Sequence, residues 1–238
     1  MPKVFCSWSG GKDSCLACYL GVNNGLEVQY LANTVTEDGQ RSCSHGISAE
    51  VIRLQAQAMG IPILQRPTTM NTYETEFISM LRAFKREGIE GGIFGDIDFN
   101  PHREWIETVC QAAGVTPHLP LWGKNQGTIM RDFISLGFES VVVAARADLF
   151  GDEILGRTVD LDFLDYLEEL GRTRDITPCG EAGEYHTMVI DGPLFKKRVN
   201  ILETSNELRE GKWFLEIIKA DLSNKQQVVI QGVRTWLK

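Results

Sequence analysis

Residues Val4–Cys15 read VFCSWSGGKDSC. An apolar run ends at two adjacent glycines; a lysine, an aspartate and a serine follow, and the small-residue helical pattern CLACYLGV begins at Cys15. Glycines at this junction accept positive φ, which lets successive backbone N–H groups converge on an anion. The helix that follows aims the positive end of its dipole at the same point. Ser9, Gly10, Gly11, Lys12, Asp13 and Ser14 therefore form a candidate phosphate loop, with two hydroxyls and one ammonium among them. Asp13 suits such a place as a helix cap or as a ligand of Mg2+. The spacing is not that of a Walker A loop, which needs four residues between its first glycine and the Gly-Lys pair. Nor does it carry the spaced glycines of the dinucleotide fingerprint.

Outward from the loop, short apolar runs alternate with amphipathic stretches. KVFCSW, VQYLANTV, IPILQR, GGIFGDI and PHLPLW read as strands, and Asp13–Val22, Ile47–Met59, Tyr73–Arg86 and His102–Ala113 as helices. Connections this long imply crossovers, hence a parallel sheet covered on both faces. Gly95 and Asp96 end the strand GGIFGDI at the carboxyl edge, where open sheets of this type bind ligands. The pattern breaks at TPHLPLWGKNQG. A helix over Thr128–Leu136, a buried strand ESVVVAARA and a short helix LDFLDYLEEL follow, and RVNILE pairs with WFLEIIKADL through the polar stretch TSNELREGK. The division expected is a larger domain over residues 1–122 and a smaller α+β domain over residues 123–238. The last stretch, QQVVIQGVRTWLK, reads equally as a pairing strand or a loose tail.

The chain has 238 residues, 43% of them hydrophobic, enough for a sizeable core. A net charge of -8 argues against a large DNA or tRNA footprint. No apolar run approaches a membrane span, and no secretory leader is recognisable in MPKVFCSWSGG. Six scattered cysteines without a disulfide framework fit a reduced, cytoplasmic protein. Cys15 and Cys18 form a C-x-x-C pair on one helix face; without a second pair to complete a metal site, packing is the expected role.

SGGKDS resembles the signature of the PP-loop ATP pyrophosphatases, which hold the β,γ-pyrophosphate of ATP and transfer AMP to an acceptor oxygen. SHGISAEVIRLQAQAMGIPI, HREWIETVCQAAGV, PLWG, LGRTVD and GEAGEYHTMVIDGPLF then occur in that order. With the loop they resemble the diphthine–ammonia ligase family over nearly the whole chain. The resemblance implies an α/β fold: a five-stranded parallel open sheet of PP-loop (HUP-type) architecture with a smaller C-terminal α+β domain. It also implies a reaction. ATP and Mg2+ serve to adenylate the diphthine carboxylate of a translation elongation factor, and ammonium then aminates it, releasing AMP and pyrophosphate.

By the same resemblance, Lys12, Glu181, Glu184 and His186 are the candidate catalytic residues. Gly95, Asp96, Arg103 and His45 join the loop in binding ATP, and Asp13 meets the metal. Arg157 closes over the site or pairs with an acid in DLD, and Trp122 stacks on a ligand or packs in the core. Ala182 stands where glycine is commoner, and Asp96 where a small residue is typical. A related carboxylate therefore stays open as the acceptor. The alternatives are a PP-loop tRNA-thiolating enzyme and a non-catalytic ATP sensor. A homodimer is the default expectation for such a fold.

Overall fold

Strand β1 (Lys3–Ser7) alternates between two cores: Val4 and Cys6 enter one apolar cluster and Phe5 enters the other. Only a strand covered on both faces buries consecutive residues, here Val4, Phe5 and Cys6, in this way. The structure, a computed structural model, describes residues 1–225; QQVVIQGVRTWLK, residues 226–238, lies outside the described residues, and so does the expectation attached to it.

Around β1 the parallel sheet is completed by β2 (Glu27–Val35), β3 (Ile63–Pro67), β4 (Gly91–Ile93) and β5 (Thr116–His118), in the order β3-β2-β1-β4-β5. The crossovers are α1 (Lys12–Asn23), α2 (Ala49–Met59), α3 (Tyr73–Arg86) and α4 (Asn100–Ala113). Helix α2 starts where the Ser48 side chain accepts the Glu50 amide, and Phe77, Met80, Leu81 and Phe84 of α3 supply one buried face. The strand order reverses between β1 and β4, so the crevice for a ligand lies outside their carboxyl ends. Strand β1 delivers the SGGKDS loop to that crevice, and β4 delivers Gly95 and Asp96. The expected strand GGIFGDI pairs only through Ile93. Beyond it the chain runs against the loop so closely that a Cβ on Gly95 would lie 2.8 Å from the Ser14 amide nitrogen.

The second unit contains α5 (Gln126–Ser135), β6 (Glu139–Arg146), α6 (Leu161–Leu170), β7 (Tyr185–Asp191), β8 (Lys197–Arg209) and β9 (Lys212–Asn224). Its antiparallel sheet has the order β7-β6-β9-β8. One expectation is corrected here. TSNELREGK is no connecting loop: β8 continues to Arg209, and the turn is the dipeptide Glu210–Gly211. Both turn residues have positive φ, 49° and 76°, the type I′ geometry that suits a twisted two-residue hairpin. The polar sequence hid the strand because much of β8 is solvent-exposed, so no apolar alternation was needed.

The two sheets share a core. Val4, Cys6 and Trp8 belong to the same apolar cluster as Val142, Phe163 and Met188. No described helix is long and apolar enough to cross a membrane.

Candidate active site

The loop is fastened to the second unit before any ligand arrives. The Gly10 carbonyl accepts the Val189 amide of β7 at 2.9 Å, and the Lys12 amide donates to Thr187 Oγ1 at 3.1 Å. Gln55 of α2 forms the third tie. Its buried side chain donates to the Gly10 and Val189 carbonyls at 2.9 and 2.7 Å and accepts from Trp8 Nε1 at 3.1 Å. Gly10 has φ 84°, as the nest requires. Gly11 does not: its φ of -88° is ordinary extended backbone. It is glycine for space, because a Cβ there would lie 2.3 Å from His45 Cε1.

Between the units lies a cavity of about 440 Å³. Its walls bring together most of the residues singled out in the sequence: Ser9, Lys12, Asp13 and Ser14 from the loop, His45, Gly95 and Asp96, and Glu181 and His186 from the second unit. Gly10 and Gly11 do not line it: the Gly10 carbonyl is held by Val189 and Gln55, and the Gly11 amide by Ser9 Oγ. Ser9 and Ser14 share a hydroxyl hydrogen bond at 3.1 Å, and Ser9 Oγ also accepts the Gly11 amide at 3.3 Å.

Lys12 is 3% exposed. Its ammonium donates to Asp13 Oδ2 at 2.9 Å and to the Cys179 carbonyl, and lies 5.2 Å from the centre of the Tyr185 ring. Burial works against its charge, but Asp13 and the other surrounding groups outweigh this and hold the pKa above its ordinary value, so Lys12 stays cationic. Asp13 does not cap α1. Burial raises its pKa against the pull of Lys12, and its Oδ1 is buried without a hydrogen-bond partner.

Two regions of opposite character share the cavity. Asp13, Asp96 and Glu181 make one acidic. Burial first, then Asp13, pushes the Glu181 carboxyl up to about 7, with Lys12 opposing and Asp96 and Asp98 adding. His102 joins this side: its Nδ1 donates to Asp96 Oδ1 at 3.2 Å, which raises its pKa. The other region holds His45, His186 and Lys212. The two imidazoles stack at 4.6 Å, and His45 Nδ1 meets the Thr187 carbonyl at 3.0 Å. Burial, then Lys212 and Lys12, lower His186 to about 4; burial, then His186, hold His45 well below its ordinary value, so both rings are neutral at pH 7.

Several expected residues are not brought to the cavity wall. Arg103 is 46% exposed, pairs with Glu107 one helical turn away at 2.8 Å and lies over the Trp122 ring. An i,i+4 partner on its own helix holds the guanidinium at the surface. Trp122 is thereby occupied as well. Arg157 stacks on Tyr166 at 4.4 Å. Glu184 is buried behind the wall, with Oε1 accepting the Thr177 amide at 2.6 Å. Cys15 and Cys18 are buried in the core, as expected, and burial raises the Cys15 thiol well above its ordinary value. Among the described residues, no group of three or more His, Cys, Asp or Glu side chains is arranged to hold a metal ion.

Sequence reasoning missed Gln55, Lys212, Tyr185 and the Cys179 carbonyl. Gln55 left a readable trace, a polar residue on the face of α2 that also carries Ile52, Ala56 and Met59. The Cys179 carbonyl left none, because a backbone acceptor has no residue signature.

Comparison with known proteins agrees with this layout. Residues 2–117 match the family model for the diphthamide synthase N-terminal domain, and residues 125–223 that for the diphthamide synthase C-terminal domain. The diphthine–ammonia ligase of Rattus norvegicus is 31% identical over 219 residues, covering 83% of this chain and 81% of the relative. That of Homo sapiens is 28% identical over 254 residues, 95% of each chain. A solved chain described as a predicted subunit of tRNA methyltransferase from Methanocaldococcus jannaschii aligns over 81% of this chain at 16% identity, with a TM-score of 0.44. With both domain models matched in order and relatives near 30% identity over most of its length, the chain belongs to the diphthine–ammonia ligase family.

Proposed function

We propose that this protein is an ATP-dependent amide ligase that adenylates the diphthine carboxylate of an elongation factor and aminates it with ammonium. The observation that carries the reading is the placement of Glu181, with a carboxyl pKa pushed up to about 7, in the same cavity as the SGGKDS loop.

A carboxylate is a poor acyl donor because ammonia cannot expel oxide. In the first step its oxygen attacks the α-phosphorus of ATP; the new P–O bond gives an acyl-adenylate and pyrophosphate leaves. In the second, the nitrogen lone pair of ammonia attacks the acyl carbon, the C–O bond to AMP breaks, and the amide forms with loss of a proton. The loop amides, Ser9, Ser14 and Lys12 hold the departing pyrophosphate. Lys212 faces the same anion across the neutral His45–His186 stack. Glu181 takes the proton from ammonium, because a base is most effective with a pKa near the working pH. His186, lowered to about 4, is a weaker base and serves as a neutral hydrogen-bonding wall. Enclosure between the two units keeps water from the acyl-adenylate.

Mg2+ is part of the proposal, since Asp13 has an unpartnered buried oxygen and Asp96 adds a hard donor on the same cavity wall. When bound by Asp13 and phosphate oxygens, it neutralises polyphosphate charge. The division near residue 122, with ATP held by the first unit and the acceptor by the second, belongs to the same proposal. So do a homodimer and a reducing, cytoplasmic setting, the latter supported by six free cysteines. Burial of Cys15 and Cys18 disfavours a tRNA-thiolating role for that pair.

The test is incubation with Mg-ATP, ammonium and a diphthine-bearing elongation factor, with AMP, pyrophosphate and protein amidation all measured. AMP and amide in equal amounts are expected. ADP and phosphate as products, or no AMP with diphthine or any related carboxylate, would reject adenylation.

A further inference from the structure

Glu184 is 0% exposed and lies outside the cavity lining, although the GEAGE sequence sets it beside Glu181. Its backbone carbonyl accepts the Arg146 amide at 2.9 Å, which pins it to β6. From that fixed point its side chain reaches back seven residues, and Oε1 accepts the Thr177 amide at 2.6 Å. Oε2 is buried without a partner. A buried carboxylate with one bare oxygen is costly, and holding a single amide does not by itself require a charge.

The structure downstream of that one contact is extensive. Thr177 Oγ1 accepts the Glu181 amide at 3.0 Å, and the Thr177 carbonyl accepts the Gly180 amide at 3.1 Å. Between them lies Cys179, whose carbonyl receives the Lys12 ammonium. Fixing Thr177 therefore places two reacting-site groups together: the acceptor that orients Lys12, and Glu181 itself. The loop has other braces, since Gln126 Oε1 accepts the Cys179 amide at 3.0 Å and Tyr185 Oη donates to the Pro178 carbonyl at 2.5 Å. None of these reaches Thr177.

We infer that Glu184 is a positioning residue, which clamps the Thr177–Gly183 loop so that the Cys179 carbonyl meets Lys12 and Glu181 faces the cavity, and that it does not touch the reactants. The inference deepens the proposed function and rests on it only for the turnover readout. What the clamp needs from residue 184 is a side-chain oxygen at that reach, and a glutamine supplies one.

The test compares Glu184→Ala and Glu184→Gln in the full chain by amide hydrogen exchange of residues 177–183 and by kcat and KM for ATP in AMP formation. Glu184→Ala is expected to speed exchange in that segment about tenfold or more. The same variant should lower kcat/KM by about 10–100-fold, the usual penalty for misplaced groups. Glu184→Gln is expected to restore both to about wild-type values and to leave the pH–rate profile unmoved. A Glu184→Gln protein with wild-type exchange but no turnover would overturn the inference, since the carboxylate would then be acting chemically. Unchanged exchange in Glu184→Ala would overturn it too. Should Glu184→Ala fail to fold, the glutamine variant still decides. If the wild type makes no AMP, the proposed function fails while the exchange comparison still judges the clamp.

Discussion

Glu181→Gln separates a stability effect from a chemical one, because the same raised pKa predicts both. The carboxyl rises from 4.5 to about 7 through burial and the acids around it. Above pH 7 the folded chain holds Glu181 charged where charge is disfavoured, whereas the unfolded chain holds it charged in water. The fold therefore carries a penalty at high pH. That penalty is removed as pH falls through about 7 and the folded chain takes up the proton; below about 4.5 both states are protonated and none remains. At about 1.4 kcal/mol per pKa unit the upper limit is roughly 3.5 kcal/mol. Solvent reaching the cavity reduces this to about 1–2 kcal/mol. Glutamine keeps the shape without the charge. Urea denaturation at pH 8 should find Glu181→Gln more stable than wild type by about that amount, and at pH 4 the two should coincide. In turnover, the rising limb of the wild-type pH–rate profile near pH 7 should vanish in the variant, and kcat should fall by about 100-fold or more. Equal stability differences at pH 8 and pH 4 would refute the burial argument. A retained limb would refute the assignment of Glu181 as proton acceptor.

Gln55→Ala removes three buried hydrogen bonds at once. At about 1 kcal/mol each plus a cavity, the loss is about 3–5 kcal/mol, read from urea midpoints; a loss below about 1 kcal/mol would show that the tie between loop and β7 is dispensable. Gly11→Ala sets a methyl 2.3 Å from His45 Cε1, and calorimetry should find ATP bound about tenfold more weakly. Adding His45→Ala should recover the stability lost in Gly11→Ala, and no recovery would place the clash elsewhere. Lys212→Ala removes a cation that helps lower His186 to about 4, so the imidazole midpoint, followed by NMR, should move upward. An unmoved midpoint would leave burial and Lys12 as its causes.

The parts of this molecule that could be read from sequence are those where one side chain reports one environment. Phe77, Met80, Leu81 and Phe84 repeat at helical spacing and are all buried on α3. The glycine pair announced a tight loop, and distant motifs in fixed order named its family. The parts that could not be read are of two kinds. Strand β8 is exposed over most of its length, so solvation erased the alternation by which strands are recognised. Arg103 and Glu184 carry the right functional groups, but which face of α4 and which side of the GEAGE turn they occupy is decided by partners, Glu107 and Thr177, that a motif does not rank.

The same distinction explains why SGGKDS is incomplete as a phosphate grip. Lys12 finds its uncharged partners, the Cys179 carbonyl and the Tyr185 ring, 167 and 173 positions downstream in the second unit. An ammonium this buried would shift toward its neutral form if left with no partner. Asp13 of the loop, joined by groups of the second unit, keeps it charged, and the second unit keeps it already desolvated. Engaging a phosphate then exchanges a carbonyl and a carboxylate for phosphate oxygens, and the ammonium has no full hydration shell to shed at that moment. The loop amides follow the same logic, since Ser9 Oγ and Thr187 Oγ1 hold the Gly11 and Lys12 N–H groups in place. The motif supplies the donors and β7 with the Thr177–Gly183 loop sets their direction, so under the proposed function a substitution confined to the second unit is expected to weaken ATP binding with the loop sequence intact.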